Sequence, residues 1–254
     1  QSALSQTHNL YFIARGSKIY IYSPLFPSYS LPCHPLLVFT TDPSPPPAPA
    51  HVSIDPQSPH DINHLLVAFL GRTEVIAVAR DDGEVELYAI DHLRHALDRR
   101  NGRLDPRPAS DVRPFHRMRV ASSAWGIALH TDARLLAVSS NDHCVTFVEF
   151  GLVDSDTRPV DTVVHVLNGD ANIPAIAFCN SGADPDGCWL LTTDIDGVCR
   201  LIHRHSLGVI PMFRCGPASD VESATLDPLQ CAGWGIAFLD LRAFPLDPQH
   251  ESPV

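Results

Sequence analysis

Several motifs that define common classes of protein are missing from this sequence of 254 residues. The longest uninterrupted apolar run, Leu65 to Leu70, is far shorter than the ~20 residues that a membrane-spanning helix needs. There is no glycine-rich phosphate-binding loop, Gly-x-Ser-x-Gly elbow, Cys-x-x-Cys pair or His-Glu-x-x-His motif. These absences disfavour a membrane-spanning protein, a nucleotide-binding enzyme, a serine hydrolase and a zinc-binding domain.

Positive charge is also scarce. The chain has 18 lysines and arginines against 29 aspartates and glutamates, which leaves a formal net charge of −11. A protein with this excess of negative charge repels nucleic acid and anionic lipid, so we expect neither direct nucleic-acid binding nor membrane association. The seven cysteines are odd in number, and several lie in predicted strands, where a thiol behaves as a small buried hydrophobe. We interpret them as reduced thiols of an intracellular protein.

The sequence is rich in short apolar runs that are separated by polar turns. The clearest example is residues 124–150, where Trp125–Leu129, Arg134–Val138 and Val145–Phe150 are three such runs. Short runs rich in β-branched and aromatic side chains, bounded by Asp, Asn, Ser or His turns, predict antiparallel strands. With 44% hydrophobic residues, the chain can bury a sizeable core in an all-β fold.

These strand units repeat along the chain. Three copies have turn and strand residues in the same order, namely Asp82-Gly-Glu-Val85, Asp142-His-Cys-Val145 and Asp196-Gly-Val-Cys199. Trp125-Gly-Ile-Ala recurs as Trp234-Gly-Ile-Ala, so residues 233–239 open another copy. Residues 9–22 are predicted to form a hairpin, and residues 114–120 a fourth strand before the unit at 124–150. Copies of roughly 55–65 residues with four strands each are typical of β-propeller blades that carry long loops.

We therefore predict that residues 1–254 form a single WD-type β-propeller domain with three full and two partial blades. A propeller closes with about 4–8 blades, so we expect an incomplete ring or one that a partner completes. An immunoglobulin-like sandwich is the structural alternative, but it does not predict the internal repetition.

Two connectors interrupt the repeats. Residues 43–59 contain seven prolines, which remove hydrogen-bond donors, so this segment is predicted to be a surface loop. Residues 91–112 are predicted to be a short helix and an arginine-rich insertion, with Asp91 as the N-cap of the helix and Asn101-Gly102 as its stop signal. From Arg94 to Arg119, eight arginines and three aspartates give a local charge of +5.

The arginines and two tryptophans are the candidate partner-binding residues. Guanidinium groups pair with carboxylate or phosphate, so the insertion could dock an acidic protein or, as the weaker alternative, DNA. The interpretation that we favour is a solvated insertion paired with the acidic body of the same chain. The tryptophans are either exposed anchors or, as we favour, packed between blades. The candidates are Arg94, Arg99, Arg100, Arg103, Arg107, Trp125 and Trp234.

No catalytic, cofactor-binding or metal-binding residue is predicted. Close histidine pairs occur at His60/His64, His92/His95 and His203/His205, but zinc needs about four convergent ligands, so we favour structural roles such as a turn hydrogen bond from His60. Asp82, Asp142 and Asp196 each lie at a repeated turn, where an aspartate binds its own backbone amides. A hydrolase that uses the central channel is the enzymatic alternative.

Several segments resemble a known family. They are Ala124-Trp-Gly-Ile-Ala-Leu-His130, Ala133-Arg-Leu-Leu-Ala-Val-Ser-Ser-Asn141, Asp61-Ile-Asn-His64, Asp81-Asp-Gly-Glu-Val85, Asn172-Ile-Pro174, Thr193-Asp-Ile-Asp-Gly197 and Gly233-Trp-Gly. Over residues 9–244 the sequence resembles the N-terminal propeller of the fungal WD-repeat family of ribonucleotide reductase transcriptional regulators. The arginine-rich insertion departs from that pattern.

The resemblance implies a non-enzymatic protein-interaction scaffold of the nucleus or cytoplasm that helps to restrain ribonucleotide reductase genes. It also implies a link to cullin-RING ubiquitin ligases, in which such proteins act as exchangeable adaptors or substrate receptors. The expected partners are therefore other proteins, including cullin-ligase subunits, and no cofactor is expected.

Overall fold

The computed structural model describes residues 1–41, 53–100, 109, 111–151, 162–168, 170–214 and 233–239. Over these residues the chain forms sixteen β-strands and one α-helix. The strands are arranged in four antiparallel sheets of four strands each, which we call blades one to four. The all-β, propeller-like prediction is confirmed, and the described sheets do not close into a barrel.

Each blade is a meander of four consecutive strands. Blade one comprises β1 (Ser2–Leu4), β2 (Tyr11–Arg15), β3 (Lys18–Tyr22) and β4 (Leu37–Thr40). Blade two comprises β5 (Ile62–Leu70), β6 (Thr73–Arg80), β7 (Glu84–Ala89) and β8 (His116–Arg119). Blade three comprises β9 (Ala124–His130), β10 (Leu135–Ser140), β11 (Cys144–Glu149) and β12 (Thr162–Asn168). Blade four comprises β13 (Ala175–Phe178), β14 (Trp189–Thr193), β15 (Val198–His203) and β16 (Gly208–Arg214).

Blade one has more strands than the single hairpin that the sequence predicted there. Its β1 pairs Ala3 with Phe12, and its β4 pairs Phe39 with Ile19. The pattern of β1 was missed because that strand is only three residues long. The fifth copy, predicted from Gly233 onward, is represented among the described residues by 233–239, which contains no assigned strand.

The turn between the second and third strands of a blade follows one design. The residue just before the third strand has a positive φ at Gly83 (79°), His143 (64°) and Gly197 (75°). Glycine adopts this left-handed conformation without steric cost, and a polar residue such as histidine tolerates it. The repeated conformation explains why the turns align in sequence.

The hydrophobic core is divided into three clusters, one between each pair of neighbouring blades. Successive side chains of a strand point to opposite faces of its sheet, so a central blade buries both faces. In β6, Ile76 and Val78 belong to the cluster shared with blade one, whereas Val75 and Ala77 belong to the cluster shared with blade three. All four are 0% exposed. Face-to-face packing of successive sheets builds the arc of a propeller.

The helix α1 (Ile90–Arg99) lies between β7 and β8 of blade two, as the predicted insertion requires. It buries Ile90, Leu93 and Ala96. The N-cap is Ala89 rather than the predicted Asp91, which lies in the first turn. Asp91 is engaged elsewhere, since its carboxylate is 3.1 Å from Nε2 of His8. This helix, the only one in the described part of the chain, is too short to cross a membrane.

The first strands of the blades lie next to one another, with β1 against β5, β5 against β9 and β9 against β13. Hydrogen bonds continue this order from blade to blade. The amide of Ile62, at the start of β5, donates to the carbonyl of Gly16 in the β2–β3 turn. The amide of Gly233 likewise donates to the carbonyl of Asp194, at the β14–β15 turn. Residues 233–239 therefore start where the first strand of a further blade would start.

The described residues cover part of each of the two predicted connectors. Of residues 43–59, those from 53 onward are described, and the amide of Asp55 donates to the carboxylate of Asp81 at 2.8 Å. Residues 42–52 lie outside the described part of the chain. Of residues 91–112, the structure describes the helix, Ala109 and the two residues from Asp111 onward.

Candidate functional site

A cavity of about 540 Å³ lies between the first strands of blades two, three and four and residues 233–239. We call it the channel cavity. Its walls include His64 from β5, Trp125 from β9 and Trp234 from the segment after blade four. The remaining wall is mostly aliphatic, with residues of β9 and β13. Clefts of about 300–1,000 Å³ lined mainly by apolar and aromatic groups are typical ligand sites.

The two candidate tryptophans meet in this cavity. The ring centroids of Trp125 and Trp234 are 5.8 Å apart, and the ring planes are inclined by 32°. Trp234 is 53% exposed, and neither tryptophan belongs to a core cluster between blades. The favoured prediction, in which both pack between blades, is therefore wrong. Trp125 on β9 and Trp234 in residues 233–239 both line the channel cavity instead.

Close backbone packing holds Trp125 in place. Its neighbour Gly126 donates its amide to Oγ of Ser139 at 2.8 Å, and that hydroxyl donates to the carbonyl of Ile173 at 2.5 Å. A Cβ at Gly126 would lie 2.6 Å from the same Oγ. The Trp-Gly pair therefore has a physical reason, because only glycine lets β9 approach β10 this closely.

The described side chains that line the channel cavity are uncharged. None of its described lining residues is Asp, Glu, Lys or Arg. Burial lowers the pKa of His64, whereas a hydrogen bond with the backbone of Trp125 opposes the shift. The imidazole is consequently neutral at physiological pH. A hydrolase in the channel would need convergent carboxylates or histidines, and the described lining supplies one histidine.

The described arginines of the insertion lie beside carboxylates of the same chain. Arg99 and Arg100 each place a guanidinium nitrogen 3.1 Å from Asp111, and Arg94 lies 3.5 Å from Asp98. The bond from Arg99 is the main cause of a lowered pKa of Asp111, with Arg100 contributing as well. These pairs are intramolecular, as in the favoured interpretation, but Asp98 and Asp111 belong to the insertion itself rather than to the acidic body of the chain. Arg103 and Arg107 lie outside the described residues.

The last arginines of the run take part in a charge cluster on blade two that sequence reasoning missed. Arg117 lies 2.8 Å from Glu86, and Arg119 lies 2.8 Å from Glu84. Arg80, 0% exposed, bonds to Asp82 at 2.9 Å. Burial raises the pKa of Glu86 even though Tyr88, Arg80 and Arg117 favour its ionised form. Glu84 and Glu86 on β7 face Arg119 and Arg117 on β8, and this alternation of charged residues is the sequence pattern that could have predicted the cluster.

The chain is similar to a known protein family. The family model described as CRT10 matches residues 2–203, which is more than three quarters of the chain. The chain belongs to the CRT10 family. CRT10 is a fungal family linked to the regulation of ribonucleotide reductase transcription. No curated protein matches the chain.

The CRT10 match covers most of the features described above. It spans the first three blades, the described arginines of the insertion, Trp125 and His64. Trp234 lies beyond the matched residues, so the second indole of the channel cavity belongs to a part of the chain that the family match does not cover.

Two histidines of the close pairs make hydrogen bonds with nearby polar side chains. His60 Nδ1 lies 2.7 Å from the carboxylate of Asp82, which confirms the predicted turn hydrogen bond. His203 bonds to Ser206 at 2.9 Å. Within the described ranges, no group of three or more His, Cys, Asp or Glu side chains is arranged to hold a metal ion.

The three predicted turn aspartates differ in what they bind, and the carboxylate of Asp142 accepts the hydroxyl of Ser140. Asp82 accepts from the amide of Glu84 at 3.1 Å, as predicted. In blade four the accepting residue is Asp194, which receives the amides of Asp196 and Val198 at 3.1 and 2.8 Å. The prediction of Asp196 was wrong because Asp194 precedes the turn and can reach both amides, as in an Asx-turn.

Proposed function

We propose that this CRT10 family member is a non-enzymatic protein-interaction scaffold that restrains transcription of ribonucleotide reductase genes from the nucleus or cytoplasm. The observation that carries the proposal is the channel cavity, which presents two tryptophans on a rigid arc of sheets without charged side chains. Tryptophan is enriched among the residues that dominate binding energy at protein interfaces. The WD-repeat character of the blades is part of this proposal.

The arginine-rich insertion is the second proposed contact surface. Arg94 and Arg99 have side chains 51% and 62% exposed, so they remain accessible beside their intramolecular partners. Exposed ion pairs are worth about 1 kcal/mol or less, and an acidic partner can displace them at little cost. Arg94, Arg99, Arg100, Arg103 and Arg107 therefore stay candidate contacts for an acidic protein.

An adaptor or substrate-receptor subunit of a cullin-RING ubiquitin ligase is the alternative proposal. It draws support from the apolar surface of β16, where Val209, Ile210, Met212 and Phe213 are 42–56% exposed. Neighbouring blades cover the equivalent faces of blades one to three, so this surface suits a stable protein partner.

Measurement of ribonucleotide reductase transcripts tests the regulatory role. We expect deletion of the gene for this chain to raise these transcripts in the fungus that encodes it, and re-expression to restore them. Unchanged transcript levels in the deletion strain would count against the proposal.

Affinity purification with mass spectrometry tests the scaffold role. The full chain is compared with a variant carrying Arg99→Glu and Arg100→Glu and with the control Arg72→Glu, an exposed arginine outside the insertion. We expect the wild type and the control to recover the same partners, and the double variant to lose those that dock on the insertion. Recovery of cullin subunits would favour the adaptor alternative, whereas recovery of no partner by the wild type would contradict both proposals.

A further inference from the structure

We propose that the channel cavity binds an uncharged aromatic side chain that a peptide segment of a protein partner presents. This inference names a ligand for the proposed scaffold. It rests on the proposed function in one respect, namely that the ligand is part of a protein. Three features of the cavity carry it: its paired indoles, the absence of charged side chains in its described lining, and a buried indole N–H.

The paired indoles provide a stacking surface. Trp125 and Trp234 are 5.8 Å apart, within the range of about 4.5–7 Å in which aromatic rings attract one another. Because Trp234 is 53% exposed while it contacts Trp125, a further planar ring can lie against it without displacing the pair. A cavity of about 540 Å³ has room for one aromatic side chain and part of its backbone.

The lack of charged side chains in the described lining of the cavity favours a neutral ligand. A charged group that enters a largely apolar site loses water, and this costs free energy unless an opposite charge replaces it. The described lining supplies no such charge. Lysine, arginine, aspartate and glutamate side chains are therefore all disfavoured by desolvation.

The buried indole N–H of Trp125 favours a ligand with a hydrogen-bond acceptor. Nε1 of Trp125 is shielded from solvent and has no hydrogen-bond partner in the described part of the chain. A buried donor left without a partner is costly, so a ligand that brings an oxygen is favoured. A peptide carbonyl or a tyrosine hydroxyl supplies that oxygen, which is why we assign a peptide rather than an isolated hydrocarbon.

The three tryptophans of the chain allow a direct binding test. Trp189 does not line the cavity and packs on His203 at 4.8 Å, so Trp189→Phe leaves the two cavity indoles as the only reporters. The full chain with this change is titrated with short, capped Gly/Ser peptides that differ only in a central Phe, Leu, Lys or Glu. We expect the Phe peptide to shift indole emission saturably and to bind about tenfold more tightly than the Lys and Glu peptides.

Variants in the same background locate the site. We expect Trp234→Ala to weaken binding of the Phe peptide about tenfold, because it removes the exposed stacking surface. Trp125→Phe keeps a ring but removes the N–H, so a loss of about fivefold is expected. The control is Phe26→Ala, which changes an aromatic residue 80% exposed outside the cavity and should bind as the parent does. Circular dichroism confirms that each variant is folded.

Two results would overturn the inference. One is equal affinity for the Phe peptide and for the Lys or Glu peptide, which would show that the cavity does not select a neutral ring. The other is unchanged affinity in folded Trp234→Ala protein. Failure of the scaffold proposal is seen separately: if the wild type binds the Phe peptide but captures no cellular partner, the cavity assignment stands and the scaffold function does not.

Discussion

Single polar side chains link neighbouring blades. Ser139 accepts the amide of Gly126 in its own blade and donates to Ile173 before the next, and it is 0% exposed. Ser139→Ala removes both bonds and leaves a buried amide without a partner, so we expect the free energy of unfolding to fall by about 1–3 kcal/mol. Urea denaturation measures the change. Ser28→Ala, at an exposed loop, is the control and should stay within about 0.5 kcal/mol of wild type.

Glu74 makes the stability of blade one depend on pH. Burial tends to raise the pKa of this carboxyl, but hydrogen bonds from Thr7, Gln6 and Ser5 outweigh burial, so the pKa lies below its ordinary value of 4.5. The stabilisation is therefore present above pH 4.5 and is lost as the pH falls through the lowered pKa of the folded state.

Glu74→Gln tests this dependence. The neutral amide cannot replace the charge-assisted bonds, so we expect a loss of about 1–3 kcal/mol at pH 7 that shrinks as the pH falls below 4.5. Urea denaturation of both proteins at several pH values measures it. A difference between the two proteins that does not change with pH would contradict the assignment.

The cysteines should differ in reactivity. Burial, with the nearby Asp142, raises the pKa of Cys144 to about 11, whereas Cys33 is exposed. The thiolate is the reactive form, so at pH 8 we expect iodoacetamide to modify Cys33 well before Cys144. Mass spectrometry of peptides from briefly treated protein measures the order. Faster labelling of Cys144 in folded protein would refute it.

At the scale of elements, the inserted helix is part of the core. Leu93 is 1% exposed and belongs to the cluster between blades one and two. We expect Leu93→Ala to destabilise the protein by about 2–4 kcal/mol, because it removes buried methyl groups and leaves a cavity. Arg94→Ala, on the exposed face of the same helix, should change stability by less than about 0.5 kcal/mol. Thermal or urea unfolding compares the two, and similar effects would argue against the helix packing.

Many strands and turns of the blades could be predicted from local sequence patterns. The apolar runs of blade three became β9, β10 and β11, and the predicted fourth strand at 114–120 of blade two became β8, because period-two alternation and turn residues are local signals. The pairing of Trp125 with Trp234 could not be predicted. It depends on which face of an inner strand turns toward the channel, and that is set by packing between residues more than 100 positions apart.

At the scale of the whole molecule, blade four at one end of the arc is less buried than the central blades. Blades two and three are packed on both faces, whereas all seven residues of β16 in blade four are exposed. We expect backbone amides of β15 and β16 to exchange with deuterium at least about tenfold faster than those of β10 and β11, since local opening there exposes less buried surface. Hydrogen exchange with mass spectrometry of the full chain measures this gradient. Equal protection across the four blades would show that the arc opens as one unit.

The division of the core into clusters between blades also bears on synthesis of the chain. Ile76, Val78 and Tyr88 of blade two pack against the apolar face of blade one. The first sheet therefore cannot bury that face until those residues have emerged from the ribosome. Each later blade then docks on a surface that is already formed. We therefore expect folding to proceed with translation from the N-terminus, and a pause in translation after β4 to leave apolar strands open to chaperones for longer than a pause after β11.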